Sequence, residues 1–85
     1  MSGANLKDRA LVLGSGPINP AAESVIRAGL EPFVHEVLEV QRIDLAGRTI
    51  IALLISLDAA HLQVIASELE SHGARNNLDL AIELQ

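Results

Sequence analysis

The sequence lacks cysteine, tryptophan and tyrosine, and its one aromatic side chain is Phe33. Without cysteine the chain has no disulfide framework and no thiolate metal site. Because Phe33 is the one aromatic side chain, the core must be aliphatic, built from Leu, Ile, Val and Ala. A chain of 85 residues is one domain with a thin core, because folding at this size buries only about 60–65% of the unfolded surface. A partner surface would add to its stability.

Basic residues are few, with six Lys and Arg against eleven Asp and Glu and a net charge of −5. They are also scattered, at Lys7, Arg9, Arg27, Arg42, Arg48 and Arg75. Binding of nucleic acid needs clustered Lys and Arg to neutralise phosphates, and an anionic membrane attracts the same clusters. Neither is an expected partner. An RRM-like RNA binder also stacks bases on aromatic side chains of its sheet, which this chain lacks.

No apolar run approaches the roughly 20 residues of a membrane span. Residues 1–8 are small and polar and lack the apolar core of a signal peptide. We therefore expect a cytoplasmic protein with a short N-terminal arm, residues 1–8, and one domain, residues 9–85.

The first half of the chain predicts a strand, a loop and a helix. Residues 10–13 are apolar and precede the breaker cluster Gly-Ser-Gly-Pro at 14–17, which predicts a strand followed by a loop. Asn19 is a favoured N-cap and Pro20 fits the first helical position, so a helix should begin there. It should stop near Leu30, shortly before a proline.

Two extended segments follow. Residues 34–45 carry apolar side chains whose parity changes along the segment, which predicts either a bulge near Gln41 or two partly covered faces. Ala46 and Gly47 form the turn. Residues 49–57 are almost continuously apolar, as is typical of a central strand covered on both faces.

The last third predicts a second helix and a last strand. Asp58 is the expected cap of that helix and Gly73 its C′ residue. Residues 78–85 alternate between apolar and polar side chains, as in a half-buried strand. The order β-α-β-β-α-β is the split pattern of an α+β, ferredoxin-like fold. Since two helices cover one face of a four-stranded sheet, we expect something else to cover the other face or an edge.

Residues 37–48, Val-Leu-Glu-Val-Gln-Arg-Ile-Asp-Leu-Ala-Gly-Arg, resemble the second strand and hairpin of ACT domains. They resemble in particular the ACT region at the N-terminus of bacterial phosphoserine phosphatases, from about Arg9 to Leu57 and more loosely to Gln85. The resemblance implies a four-stranded antiparallel sheet with two helices on one face. It also implies a regulatory domain that pairs with a second copy, binds a small amino acid such as serine, and is attached to a catalytic domain.

The functional loop of that family follows the first strand and usually reads Asp-Arg-Pro-Gly. Residues 18–21 read Ile-Asn-Pro-Ala here, so Pro20 matches while Ile18 and Ala21 depart from the pattern. No Lys or Arg lies close to this loop in the sequence. By resemblance, Glu36 of a paired subunit would hold the ligand ammonium, and the helix N-terminus would hold its carboxylate. The implied ligand-binding residues are Ser15, Gly16, Ile18, Asn19, Pro20, Ala21 and Glu36.

The alternative interpretation is a degenerate ACT-like module that only pairs chains. Catalysis in this chain is not expected: the Asp-x-Asp motif that opens the phosphatase catalytic domain is absent. An acylphosphatase-like enzyme shares the element order but needs an anion-holding Arg in the first loop, and residues 14–19 contain none. The three histidines, His35, His61 and His72, fall on different elements, so we expect no metal and no cofactor.

Overall fold

The computed structural model describes residues 6–85; most of the proposed N-terminal arm therefore lies outside the described residues. The elements in chain order are β1 (Asp8–Pro17), α1 (Ala22–Leu30), β2 (Glu36–Leu45), β3 (Arg48–Leu57), α2 (Leu62–Ala74) and β4 (Asp79–Leu84). A short 3-10 turn, Ala59–His61, leads into α2. All strand pairs are antiparallel, in the order β2-β3-β1-β4. The predicted ferredoxin-like βαββαβ fold is confirmed.

The core lies between the two helices and one face of the sheet. Alternate residues of the inner strands β1 and β3 point towards the helices and are buried with the apolar side chains of α1 and α2. On the opposite face, Leu13 is 38% exposed and Ile50 is 46% exposed. β3 is central, as its apolar run predicts, but among the described residues only one of its faces is covered.

The expected loop at residues 14–17 is wrong, because β1 continues through these residues to Pro17. Gly14 and Gly16 are not turn residues: both are buried on the helix side of the sheet. A Cβ at Gly14 would lie 2.8 Å from Leu80 Cδ2, and one at Gly16 would collide with the backbone oxygen of Asn77. The two glycines therefore let β4 and the turn before it approach β1 closely.

The bulge in β2 lies between Val37 and Glu39, not near Gln41. The pairing with β3 shifts there by one residue, so Val37 and Val40 both pack against the core. Leu38, between them, is 41% exposed. The change of parity was a correct signal, but it did not locate the extra residue.

The first helix begins at Ala22 rather than at Pro20, with Ala21 in the N-cap position. Asn19 Oδ1 accepts a hydrogen bond from the backbone N–H of Ala21 at 2.9 Å. This is an Asx-turn, which lets an asparagine bend the chain just before a helix. Asn19 therefore accepts from the N–H of the N-cap residue itself. A side chain in the N-cap position would instead accept from the N–H of the second or third helical residue.

The second helix begins at Leu62, later than expected, because Asp58 caps the 3-10 turn instead: its Oδ1 accepts from the backbone N–H of Ala60 at 2.9 Å, and α2 itself has His61 in the N-cap position and no side-chain cap. Its end differs: Gly73 lies inside the helix, which continues to Ala74. The residue with left-handed backbone is Asn77, with φ 59°. Gly73 is needed because a Cβ there would press on Leu80 and on the backbone oxygen of Leu78. In residues 6–85 no helix has the length and apolar character of a membrane span.

Candidate functional site

The segment 18–21 is fastened to the hairpin between β2 and β3. The backbone N–H of Ile18 donates to the Gly47 carbonyl at 3.1 Å. The backbone N–H of Asn19 donates to Thr49 Oγ1 at 2.9 Å. Because Thr49 is fully buried, this hydrogen bond fixes the loop against the end of the hairpin.

Arg42 of β2 holds the same loop from the other side. Its Nη1 donates to the Pro20 carbonyl at 3.3 Å, and its Nη2 donates to Thr49 Oγ1 at 3.2 Å. Its Nε forms an ion pair with Asp44 Oδ1 at 3.1 Å. The guanidinium is thereby fixed between its own strand and the loop, and the loop lies beside β2.

Arg42 was not among the predicted site residues, because it lies 22 residues from Pro20 in the sequence and only the fold brings it to the loop. The available signal was the two-residue turn at 46–47, which places Asp44 opposite Thr49. Arg42 precedes Asp44 by two residues and therefore lies on the same side of the strand.

The backbone donors expected to hold a ligand carboxylate are already in use. The N–H groups of Ile18, Asn19, Ala21 and Ala22 each donate within the chain, and Pro20 has no N–H. Within one chain, segment 18–21 is therefore an anchored loop rather than an open cradle for an anion.

The structure separates the other two first-loop candidates from that segment. Ser15 lies within β1, paired with Ile50 and Asp79, and faces the side of the sheet away from the helices. Gly16 is buried beneath the turn that precedes β4. In the single chain these two residues do not join segment 18–21 in one pocket.

Glu36 lies at the far end of the sheet from the loop. It is exposed and opposes Ser56 of β3, whereas Arg48, eight residues earlier, opposes Pro17 at the start of the loop. At the usual rise of a strand this separation is roughly 26 Å. One chain therefore does not bring Glu36 and the loop together.

The strand that carries Glu36 is the least buried strand of the sheet. β2 has ten residues, lies at an edge, and contains no buried residue. Two of its apolar side chains are largely exposed, Ile43 at 58% and Leu45 at 64%. An exposed edge of this length presents unpaired backbone groups together with apolar side chains.

Two of the three histidines have a ring nitrogen within hydrogen-bonding distance of a backbone carbonyl, while His61 is exposed at the start of α2. His35 Nδ1 lies 2.8 Å from the Phe33 carbonyl, and His72 Nε2 lies 2.8 Å from the Val25 carbonyl, between the two helices. Across residues 6–85, no three His, Asp or Glu side chains form a group suited to a metal ion.

No protein-family model and no curated protein matches this sequence. Solved structures do match its fold. An ACT domain protein from Streptococcus pneumoniae superposes with a TM-score of 0.81 at 13% identity, over 91% of this chain and 89% of that one. The regulatory subunit of aspartate kinase from Thermus thermophilus matches with a TM-score of 0.65 at 18% identity, over 98% of this chain and 53% of that one.

A third match is a formyltetrahydrofolate deformylase from Burkholderia mallei, with a TM-score of 0.77 at 15% identity. It involves 91% of this chain but only 28% of the deformylase. Thus the chain spans most of one neighbour and only a part of the other two. At these identities the comparison establishes the fold, and that fold is the one found in ACT domain proteins.

Proposed function

We propose that this chain is a non-catalytic regulatory module of the ACT type that works as a pair of copies joined along β2. The observation that carries the proposal is β2 itself, an edge strand of ten residues without a buried residue. Edge strands that stay alone are normally short, charged or covered. A two-fold pair of β2 strands would satisfy the free backbone groups and extend the sheet to eight strands.

Antiparallel pairing of two β2 strands would also bring the separated site residues together. The start of one strand, Glu36, then lies near the end of the other, Leu45. The end of β2 is where Arg42 holds Pro20 at 3.3 Å. Glu36 of one copy would thus stand beside the first loop of its partner.

For that composite site we propose a small amino acid as ligand, with serine as the first candidate because of the resemblance to phosphoserine phosphatases. The ammonium group would bind Glu36, an interaction that contributes roughly 1.5–3 kcal/mol when one partner is charged. The ligand carboxylate would need donors near the start of α1 that segment 18–21 does not already use. The chain would then act in the cytoplasm on an attached catalytic domain, as a phosphoserine phosphatase arrangement implies.

A second candidate is a module that pairs without a ligand. It is favoured by the engaged N–H groups of segment 18–21 and by Ala21, whose Cβ stands where the family pattern has glycine. Both candidates share the pair along β2 and differ only in the response to an amino acid.

Sedimentation of three proteins at tens of micromolar tests the pair. The parent should sediment as a dimer, and Ile43→Lys should sediment as a monomer, because a charge on an exposed edge blocks pairing. Val64→Lys is the matched control: Val64 is 60% exposed on α2, and this variant should remain dimeric. A monomeric parent would contradict the proposal.

Calorimetric titration with serine separates the two candidates. If the site exists, Glu36→Ala should weaken serine binding about tenfold or more, and Glu36→Gln should weaken it less because its amide oxygen still accepts. Ala21→Gly should tighten binding if the Cβ crowds the site. Equal affinities in the parent and both Glu36 variants remove Glu36 from the site, and no binding of any amino acid leaves pairing alone.

A further inference from the structure

The face of the sheet away from the helices has an apolar centre that nothing in residues 6–85 covers. Leu11 and Leu54 are half-buried there, while Leu13, Ile43 and Ile50 are 38%, 58% and 46% exposed. A contiguous apolar patch with a polar rim marks a surface where another molecule binds.

This face is hollowed across its strands. A depression of about 480 Å³ runs from Gln41 on β2 to Asp79 on β4, across both inner strands. Residues that are paired with one another across the four strands form a row of the sheet, and one such row is Gln41, Ala52, Leu13 and Ala81. The floor of the depression is low because two members of this row are alanines. A smaller hollow of about 210 Å³ adjoins it and shares Gln41 and Ala52.

The two long sides of the face are acidic. Glu39 lies on β2, and Asp79 and Glu83 lie on β4, all three exposed. Their strands are three spacings apart, about 14 Å, which leaves room for one α-helix of about 10 Å diameter. The basic residues Arg9 and Arg48 lie only at opposite ends of the inner strands.

A second copy of this chain, placed face to face, is a poor occupant because its carboxylates would meet. A two-fold axis parallel to the strands puts Glu39, in the row of Leu54, Leu11 and Glu83, over the partner's Glu83. A two-fold axis across the strands, at the level of Ala81, puts Glu83 over the partner's Asp79. The reason is that Glu83 and Asp79 each lie two residues from Ala81, in opposite directions along β4. Like charges held together in this way oppose association.

We infer that this face binds an amphipathic helix whose apolar stripe is flanked by Lys or Arg. Leucine and alanine side chains of such a helix fill the hollow between Ile50 and Leu13. Its flanking cations lie over Glu39 on one side and over Asp79 and Glu83 on the other. The apolar side chains of this face are then buried, as those of the opposite face are by α1 and α2.

The test uses a synthetic helical peptide of about 18 residues, roughly 27 Å long, with a Leu and Ala stripe flanked by Lys. A matched peptide carries Glu at the same flanking positions. Fluorescence anisotropy should show binding of the Lys peptide with a Kd on the order of 10–100 μM, weakening as salt is added. The Glu peptide should not bind.

Protein variants locate the contact. Leu13→Asn should weaken the Lys peptide about tenfold, and Glu39→Gln and Glu83→Gln should each weaken it about twofold to fivefold. Glu70→Gln, on the outer side of α2, is the matched control and should leave the affinity unchanged. The two charge variants keep the test valid if Leu13→Asn fails to fold.

Three results overturn the inference: equal affinity for both peptides, a Kd above about 1 mM for the Lys peptide, or unchanged affinity in both charge variants. Dissociation of a self-assembled protein by Leu13→Asn, without peptide binding, would show that a second copy covers the face. The results for Leu13→Asn and Glu83→Gln do not depend on pairing along β2, because Leu13 lies on the inner strand β1 and Glu83 on the opposite edge. Glu39 lies on β2, so its variant is interpreted only together with Glu83→Gln.

Discussion

The two edges of the sheet, β4 and β2, are built differently. β4 has six residues and buries Leu80, and the glycines of β1 let it approach closely. Its outward residues include Asp79 and Glu83. β2 has ten residues and buries none. Both edges carry charged side chains, but β4 is short and partly buried in the core, whereas β2 is long and has no buried residue.

The difference shows what each edge is suited to do. Short length and outward charge are the usual means by which a sheet avoids pairing with another chain. β4 has both. β2 also carries charges, at Glu36, Glu39, Arg42 and Asp44, and a bulge near one end, but it is longer than β4 and ends in the exposed Ile43 and Leu45. The same sheet therefore has one edge protected from pairing and one suited to it.

The largest effect should come from breaking the closed edge. Gly16→Ala places a Cβ against the backbone oxygen of Asn77, which cannot move without shifting the start of β4. Such overpacking costs about 1–3 kcal/mol of unfolding free energy, and contact with backbone favours the upper end. Urea denaturation measures it. Gly47→Ala is the control, because nothing lies within 4 Å of the new Cβ. The expected loss of unfolding free energy is then only the cost of a left-handed backbone for alanine, about 1 kcal/mol.

Thr49→Val should remove the anchor that holds the first loop beside the open edge. The hydroxyl accepts from Asn19 N–H and Arg42 Nη2 and donates to Asp44 Oδ1 at 3.1 Å. Valine keeps the shape but leaves Asn19 N–H without a partner and removes one hydrogen bond each from Arg42 and Asp44, which still pair with one another, so the change should cost about 2 kcal/mol. Thr49→Ser keeps the hydroxyl and should lose much less. Equal losses in both variants, measured by denaturation, would deny the hydroxyl this role.

A matched pair of charges compares the edges directly. Gln41 and Ala81 lie in one row of the sheet, on β2 and β4, and both are exposed. Gln41→Lys should weaken dimerisation about tenfold or more, because it opposes a charge to its copy across the pair. Ala81→Lys should leave the dimer constant unchanged. The opposite order, by analytical ultracentrifugation, would mean that β4 is the pairing edge.

The smallest effect concerns the hairpin that supports β2. Ala46 has φ 54° and Gly47 has φ 76°, the left-handed pair of a type I′ turn. Ala46→Gly relieves the strain on the first residue and should raise the unfolding free energy by about 0.5–1 kcal/mol. Thermal unfolding should show it as a small increase in Tm. A decrease would show that the turn is not strained at this position.

The element order was predictable because it follows from periodicity, and periodicity reflects which face of each element is buried. The same local signals misplaced boundaries. The Gly-Ser-Gly-Pro cluster at 14–17 indicates a turn locally, yet Gly14 and Gly16 are needed for close approach of Leu80 and Asn77. Those neighbours lie more than sixty residues away in the sequence, so no local pattern contains them.

The candidate site shows the same limit. Segment 18–21 could be located from the resemblance, and its position between β1 and α1 follows from the element order. The hydrogen bond of Arg42 to Thr49 depends on the register of the β2–β3 hairpin, which the turn at 46–47 sets. Pro20 lies 22 residues before Arg42 in the sequence, so no local pattern shows that its carbonyl comes within reach of this side chain.

Cysteine cross-linking along β2 tests the central claim most directly, and the parent chain contains no cysteine to interfere. Single substitutions at Leu38, Gln41 and Ile43, with Val64→Cys as control, are oxidised under mild conditions and separated without reductant. A disulfide needs Cβ atoms about 3.5–4.5 Å apart, so only a position near the two-fold axis can cross-link efficiently. Pairing along β2 with Glu36 near Leu45 of the partner puts the axis beside Gln41, so it predicts strong dimer formation at Gln41 and none at Val64. Equal, weak cross-linking at all four positions would contradict it.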